Sequence, residues 1–375
     1  MKETLLIFAM GRKPWLGGIY YRRNIVYSLL QNDRIRSKYS IVVLTTPQYE
    51  DVFKVFGDEI KLAVKNIKVT SFSAMLQLIR CRIIYHAKYV FPIKYYPFFK
   101  LFGIRPISWI ADFQHKYYGD FFSTEEIESR ERDFTTIAAS DNPLILSSND
   151  CQKDFRQFYN ADRKNVYVIP FVSYIEEEIR TIKDELQVLQ AFELLPQRYF
   201  CISNQFWQHK NHLVVFKAIQ LLSVMPEYSD VKFAFTGELS DRRSDDYVSK
   251  LLTYVETPSI KQRIKILGLL DRQTQIIVMK NAKAIIQPSL FEGWGTVLED
   301  AKVLDQQVIL SDIPVHQEQM NENCVLFKPN DERDLMEKII RVLHDNRTSD
   351  IEKGISNMKL RAKENALVFE QILFK

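Results

Sequence analysis

Short apolar runs recur along this chain, and between them lie longer stretches whose apolar residues return every three or four positions. That alternation constrains the fold more than any other feature. Strands that follow one another through helices pair in parallel, and both faces of the resulting sheet are covered. The first series opens on "TLLIFAM". After Gly17 and Gly18 comes "IYYRRNIVYSLL", with Ile25, Val26, Leu29 and Leu30 on one helical stripe. The strand runs "YSIVVLTT", "KYVFPI" and "ISWIADF" follow. Ser123 and Glu126 then form a capping box at the start of a helix, and "PLILSS" and "NVYVIPF" close the series.

Residues 175–197 are charged and helical in pattern, and read as a connection. A second series begins at "RYFCISN". Its further strands are "VKFAFTG", "IKILGLL", "KAIIQPS" and "QQVILSD", alternating with helices such as "HLVVFKAIQLL" and "ERDLMEKIIRVLH". A final helix spans 356–374. A chain of 375 residues is too long for one typical core. The pattern therefore predicts an α/β protein of two doubly wound domains, 1–174 and 198–355, facing a cleft.

Composition narrows the class. With 46% hydrophobic and 26% charged residues the chain reads as an ordinary globular protein, not a disordered one. A net charge of +4 is too small to argue for nucleic acid; it suits anionic small molecules or an anionic membrane face. The four cysteines are scattered, with no CxxC pair and no zinc spacing, which points to a reducing cytoplasm. The first apolar run is short and follows Glu3, so it reads as a strand, not a signal peptide. No run approaches the ~20 residues that span a bilayer.

Ligands of doubly wound sheets bind at strand C-terminal ends, so four loops carry the candidate chemistry. The first is "PSLFEGWGTVLEDAKVL", residues 288–304. Gly293 and Gly295 permit close backbone approach, and the helix that follows offers free N–H groups to a phosphate. Glu299, a turn into that helix, suits the vicinal diol of a ribose, and Glu292 could orient sugar hydroxyls. The alternative is a glycine turn with a glutamate at a helix start. The loop is not GxGxxG, because Leu298 fills the third glycine position. Gly17 and Gly18 occupy the same kind of place in the first half, as a pyrophosphate contact or as a tight turn. In "NQFWQHKNH", Lys210 could give a point charge to a phosphate or be a solvated lysine. His209 and His212 in that stretch lack the further ligand that a metal needs. In "ADFQHKYY", His115 could bond a substrate hydroxyl or be structural. No D-x-D occurs, so bound phosphates would be neutralised by Lys210 and backbone dipoles without a divalent metal.

Taken together these stretches resemble the family 4 glycosyltransferases, retaining enzymes of the GT-B double-Rossmann architecture. The carriers are "GG" at 17–18, "WIADFQH" at 109–115, "SNQFWQHKNH" at 203–212, "TGE" at 236–238, "ILG" at 266–268 and "PSLFEGWGTVLEDA" at 288–301. The resemblance implies a role for each. Gly17 and Gly18 give N–H groups to the donor diphosphate, Lys210 balances its charge, and His115 touches the donor sugar. Glu292 holds sugar hydroxyls and Glu299 the ribose. Backbone around Gly293, Trp294, Gly295, Thr296 and Val297 meets phosphate and sugar, and that near Gly268 and Leu269 reads the base. Asp112 and Gln114 fall on the acceptor side. The final helix, 356–375, crosses back to complete the first domain, which takes the acceptor, while 198–355 takes the donor. Two departures stand out: the glutamate spacing is E-x6-E, one short of the family pattern, and Gln205 replaces the family's arginine.

The resemblance implies retaining transfer of a hexose from a nucleotide sugar, UDP-glucose or another UDP-hexose, to a saccharide or lipid-linked acceptor in polysaccharide biosynthesis. No cofactor, divalent metal or nucleic acid is expected. An epimerase on a similar fold and a non-catalytic nucleotide-sugar-binding subunit are the alternatives. From Arg80 to Ile110 there is no acidic residue, and basic residues interleave with aromatics. That composition suits peripheral contact of 80–106 with an anionic membrane at the inner face of the cell. A buried strand with a basic loop is the other reading.

Overall fold

The structure, a computed structural model, describes residues 2–10, 16–66, 71–93, 98–160, 163–241 and 245–375. The chain forms two compact units. One comprises Met1–Phe113, Thr124–Tyr174 and Asn357–Lys375; the other comprises Gln114–Ser123 and Ile175–Ser356.

In the first unit, β1 (Glu3–Ala9), β2 (Tyr39–Thr45), β3 (Lys61–Val64), β4 (Ala87–Phe91) and β5 (Arg105–Pro106) form a parallel sheet in the order β3-β2-β1-β4-β5. Leu5, Leu6 and Ile7 of its central strand are wholly buried, as a strand covered on both faces requires. A second, smaller parallel sheet joins β6 (Ser108–Ile110), β7 (Leu144–Leu146) and β8 (Val166–Val168).

In the second unit six parallel strands line up: β9 (Tyr199–Ser203), β10 (Lys232–Thr236), β11 (Ile264–Gly268), β12 (Ala284–Gln287), β13 (Val308–Ser311) and β14 (Cys324–Phe327). Their order is β11-β10-β9-β12-β13-β14. This is the Rossmann order, and the chain reverses its direction of growth between β9 and β12. Phe200, Phe233 and Phe216 anchor the core on one side of this sheet.

The sequence reading missed β3 and β14, both edge strands. An edge strand need not be uniformly apolar: in β3 only Ala63 is buried. It also missed the helix Ser71–Tyr85. Residues 175–197 are not a bare connection. They form helices Glu176–Arg180 and Glu185–Ala191 within the second unit. Glu185 fastens them there, accepting from Lys280 at 2.6 Å and Asn281 at 2.8 Å. The last helix starts at Ile351 instead of 356, because Asp350 Oδ1 takes the Lys353 N–H at 3.1 Å. Gly354 in its first turns lies so close to Val303 that a Cβ there would stand 2.2 Å from the carbonyl oxygen.

Candidate active site

In such sheets ligands bind beside the point of reversal, at the C-terminal ends of the strands, here β9 and β12. The loops that leave them are the lysine loop and the glutamate loop picked out in the sequence. After β9 the chain is held by Gly237, which has φ +138°; a Cβ there would stand 2.1 Å from the carbonyl oxygen of Asn204. Leu290 N–H donates to His209 O at 2.7 Å and ties the two loops together.

At the centre, Lys210 Nζ meets Glu292 Oε1 at 2.5 Å, with the side chains 14% and 10% exposed. The same oxygen accepts from Gln287 Nε2 at 2.9 Å and from Ser289 Oγ at 2.7 Å. Asn204 Nδ2 donates to Gln287 Oε1 at 3.0 Å and so orients that amide. All three donors converge on Oε1, and among the described residues none reaches Oε2. Burial alone would raise the Glu292 carboxyl; the Lys210 ammonium, with His209, outweighs it and holds the group down at about 2. At neutral pH the site therefore holds a carboxylate with one oxygen saturated and the other available.

Glu299 is wholly buried on the helix Thr296–Val303. Its Oε1 accepts from Trp294 Nε1 at 3.1 Å, Lys302 Nζ at 3.0 Å and Gln319 Nε2 at 2.9 Å. Gln319 also binds Gly295 twice, accepting from its N–H at 2.9 Å and donating to its carbonyl at 2.8 Å. The loop shortened to E-x6-E is thus braced from another helix, Pro314–Gln319. Thr296 at the helix start is exposed, Val297 is buried, and Gly293 and Trp294 are partly covered.

The remaining candidates fall as follows. Gln205 spends its side-chain carbonyl on the Glu238 N–H at 2.9 Å. Gly268 has φ +70° and accepts from Gly237 N–H at 2.8 Å, while Leu269 beside it is 59% exposed. Gln114 and His115 are buried in the turn Gln114–Tyr117, which belongs to the second unit. That turn adjoins the glutamate loop: Tyr118 OH donates to Leu290 O at 3.4 Å, and the rings of Tyr117 and Tyr118 pack on Phe291. Asp112 lies in the first unit, paired with Arg130 at 3.2 Å. Gly17 and Gly18 also lie there, in the first turn of the helix Leu16–Leu30, whose leading N–H groups have no helical acceptor. Residues 11–15 of the preceding loop lie outside the described residues. His212 is a core ring, stacked on Phe206 at 4.3 Å between centroids, and burial pushes it down to about 3.

Sequence reasoning missed several members. His316 is wholly buried. Its Nδ1 lies 2.9 Å from Ser311 O, and a carbonyl only accepts, so Nδ1 carries the proton. Its Nε2 is buried and has no hydrogen-bond partner among the described residues. Burial pushes the ring's pKa down, while Glu292 pulls it up. Ser311 Oγ donates to Ser289 O at 2.5 Å, and Ser289 Oγ in turn donates to Glu292, so hydrogen bonds connect the histidine to the glutamate. Arg272 grips Asp300 with two bonds, 2.8 and 2.6 Å, next to Glu299. A lone "H" after "SDIPV" and an "R" after "GLLD" gave no signal by spacing, since their partners come from distant strands.

Residues 187–366 match the family model described as Glycosyl transferases group 1. No curated protein matches the sequence. Solved structures share the fold over almost the whole chain. A glycosyltransferase from Rickettsia africae ESF-5 is 15% identical, with a TM-score of 0.68, covering 100% of this chain and 97% of its own. A sucrose-phosphate synthase from Thermosynechococcus elongatus is 15% identical, with a TM-score of 0.70, covering 99% and 98%. HepE from Anabaena, solved with UDP and glucose, is 13% identical, with a TM-score of 0.66, covering 99% and 98%. At such identities the likeness is one of fold, and the fold is GT-B: two Rossmann-like units of parallel sheet. Residues 187–366 are thus similar to the group 1 glycosyltransferases.

Proposed function

We propose that this chain transfers a hexose from a nucleoside diphosphate hexose to a hydroxyl acceptor, a saccharide or a lipid-linked sugar, with retention of configuration. The observation that carries the reading is the split carboxylate of Glu292: Oε1 holds Lys210, and Oε2 takes no donor among the described residues. A sugar hydroxyl can donate to Oε2 while the attached diphosphate draws on the Lys210 charge. A phosphate and a sugar joined together fit this pair better than either alone. HepE, which shares the fold, is solved with UDP-glucose, and this supports a uridine donor.

The step proposed is a same-face displacement. The bond from the anomeric carbon to the phosphate oxygen breaks, and a bond to the acceptor oxygen forms on the same face. The acceptor's proton passes to the departing diphosphate. The protein positions the sugar through Glu292 and stabilises the leaving group with Lys210 and the N–H groups at the start of the helix Thr296–Val303. Glu299 grips the ribose, and His115 meets the sugar. The lysine and these N–H groups supply the positive charge, so no divalent metal is required, and activity that survives EDTA is the check on that point. The reading places the enzyme in the cytoplasm, where nucleotide sugars are made.

Incubation with a panel of nucleoside diphosphate hexoses and soluble saccharide acceptors, followed by NMR of the product, tests the proposal. The expected product keeps the donor's anomeric configuration. An inverted product overturns the mechanism, and binding of no member of the panel overturns the function.

A further inference from the structure

The stretch from Arg80 to Ile110, free of acidic residues, takes no part in the site above. The structure divides it in an unexpected way. Tyr89, Phe91 and Phe99 are buried, so these aromatics are core. Among the described side chains Ile83 is 69% exposed, Ile84 62%, Leu101 83% and Phe102 37%. Leu76, Arg80, Ile83 and Ile84 recur at helical spacing and share one outward stripe of the helix Ser71–Tyr85. Arg82 Nε donates to Phe102 O at 3.0 Å and fastens this stripe to the turn that carries Leu101 and Phe102. Residues 94–97 of the intervening stretch lie outside the described residues.

The charged side chains on the ridge itself are basic, while Asp33, Asp58 and Glu59 line a hollow beside Ile84. Arg80, Arg82 and Arg105 have no carboxylate partner among the described residues, whereas nearby Lys88 is paired with Glu3 at 2.7 Å. The ridge also has a definite place on the sheet. The helix ends at Tyr85 and β4 begins at Ala87, while Leu101 and Phe102 shortly precede β5. In a parallel sheet both points lie at the strand N-terminal end. A hollow of 680 Å³ opens at that end, lined by Ile84, Tyr85 and His86 together with the strand starts at Thr4, Tyr39 and Lys61.

We propose that the first unit docks on an anionic phospholipid bilayer through the apolar ridge Leu76, Ile83, Ile84, Leu101 and Phe102, with Arg80, Arg82 and Arg105 meeting the headgroups. Exposed apolar side chains flanked by unneutralised arginines are what an interfacial segment requires. A second copy of the chain is the competing occupant, and the test below separates the two. Among the described residues no helix is long and apolar enough to cross a membrane, so the contact is peripheral. The docked end of the sheet is the one opposite the strand C-terminal ends. Those ends therefore face away from the lipid, and an acceptor has to extend to reach them.

The inference stands apart from the donor chemistry, because its test needs no nucleotide sugar. The full chain is sedimented with vesicles of phosphatidylcholine containing one-third phosphatidylglycerol, and with phosphatidylcholine alone. Binding to the anionic vesicles only is expected. Arg80→Ala and Arg105→Ala should each weaken it about five-fold. Ile83→Asp combined with Ile84→Asp should weaken it about ten-fold or more. These side chains are exposed, so thermal stability should hold; Leu101→Glu, on the separate turn, is the second probe. Equal binding to neutral vesicles, or unchanged binding by both apolar variants, overturns the proposal. A dimer in sedimentation velocity that the same variants disperse also overturns it and assigns the ridge to a second copy.

Discussion

Glu292 and Glu299 each carry a lysine, but they obtain it differently. Glu292 takes Lys210 from a loop 82 positions away, across the point where the sheet reverses. Glu299 takes Lys302 from the next turn of its own helix, with Trp294 just before it and Gln319 from a neighbouring helix. The first pair exists only once β9 and β12 are side by side. The second is largely local, and the Trp294 indole donates to the carboxylate that the proposed function assigns to a ribose. The contrast separates a pair poised for exchange from one that is largely braced.

The largest effect is expected at Lys210. Lys210→Ala leaves the Glu292 carboxylate buried without its cation, a change that costs about 3–5 kcal/mol in such pairs. Donor turnover should fall by about a hundred-fold or more. Urea unfolding and kcat/KM measure the two effects, and a near-normal kcat/KM would remove Lys210 from the chemistry. Adding Glu292→Leu should restore much of the stability and none of the activity.

Glu299→Gln should act less and differently. Losing a charged partner for the ribose should raise KM for the nucleotide sugar about ten-fold or somewhat more, with kcat little changed. A fall in kcat at constant KM would assign Glu299 to bracing the loop instead. His316→Asn keeps an amide near Nδ1 for Ser311 and deletes Nε2. If Nε2 serves a sugar hydroxyl, affinity for the nucleotide sugar drops about three- to ten-fold while affinity for the nucleoside diphosphate stays. Equal losses for both ligands would make the histidine structural.

The smallest effect is on acid stability. The folded pKa of Glu292, about 2, lies below the ordinary glutamate value of about 4.3. Its contribution is fully present above that ordinary value and is lost as pH falls toward about 2. Urea midpoints across this window should therefore fall less steeply in Glu292→Gln than in the wild type.

Much of this was legible in the sequence. Continuous apolar strands separated by striped helices specify parallel sheets, and strand C-terminal ends then nominate the loops at Lys210 and Glu292. The pairing of those two residues was not legible, because each was read as waiting for a ligand and nothing in spacing says that they meet. His316, Gln319 and Arg272 were invisible for the same reason: each acts through a partner supplied by another element. The aromatics near Tyr89 stayed open between a buried strand and an interfacial segment, because composition cannot tell the two apart; Tyr89, Phe91 and Phe99 are buried.

Under the proposed function, the Lys210–Glu292 contact also acts as a filter on what enters. Before any ligand arrives, the pair is electrically neutral, with the lysine held on one oxygen of the carboxylate. A bare phosphate that draws off the lysine strands a buried carboxylate, and so gains little by entering. A molecule that brings hydroxyls beside its phosphates can satisfy both members at once. Selection against the free phosphate and simple nucleotides of a cell thus begins with a contact that involves no substrate at all.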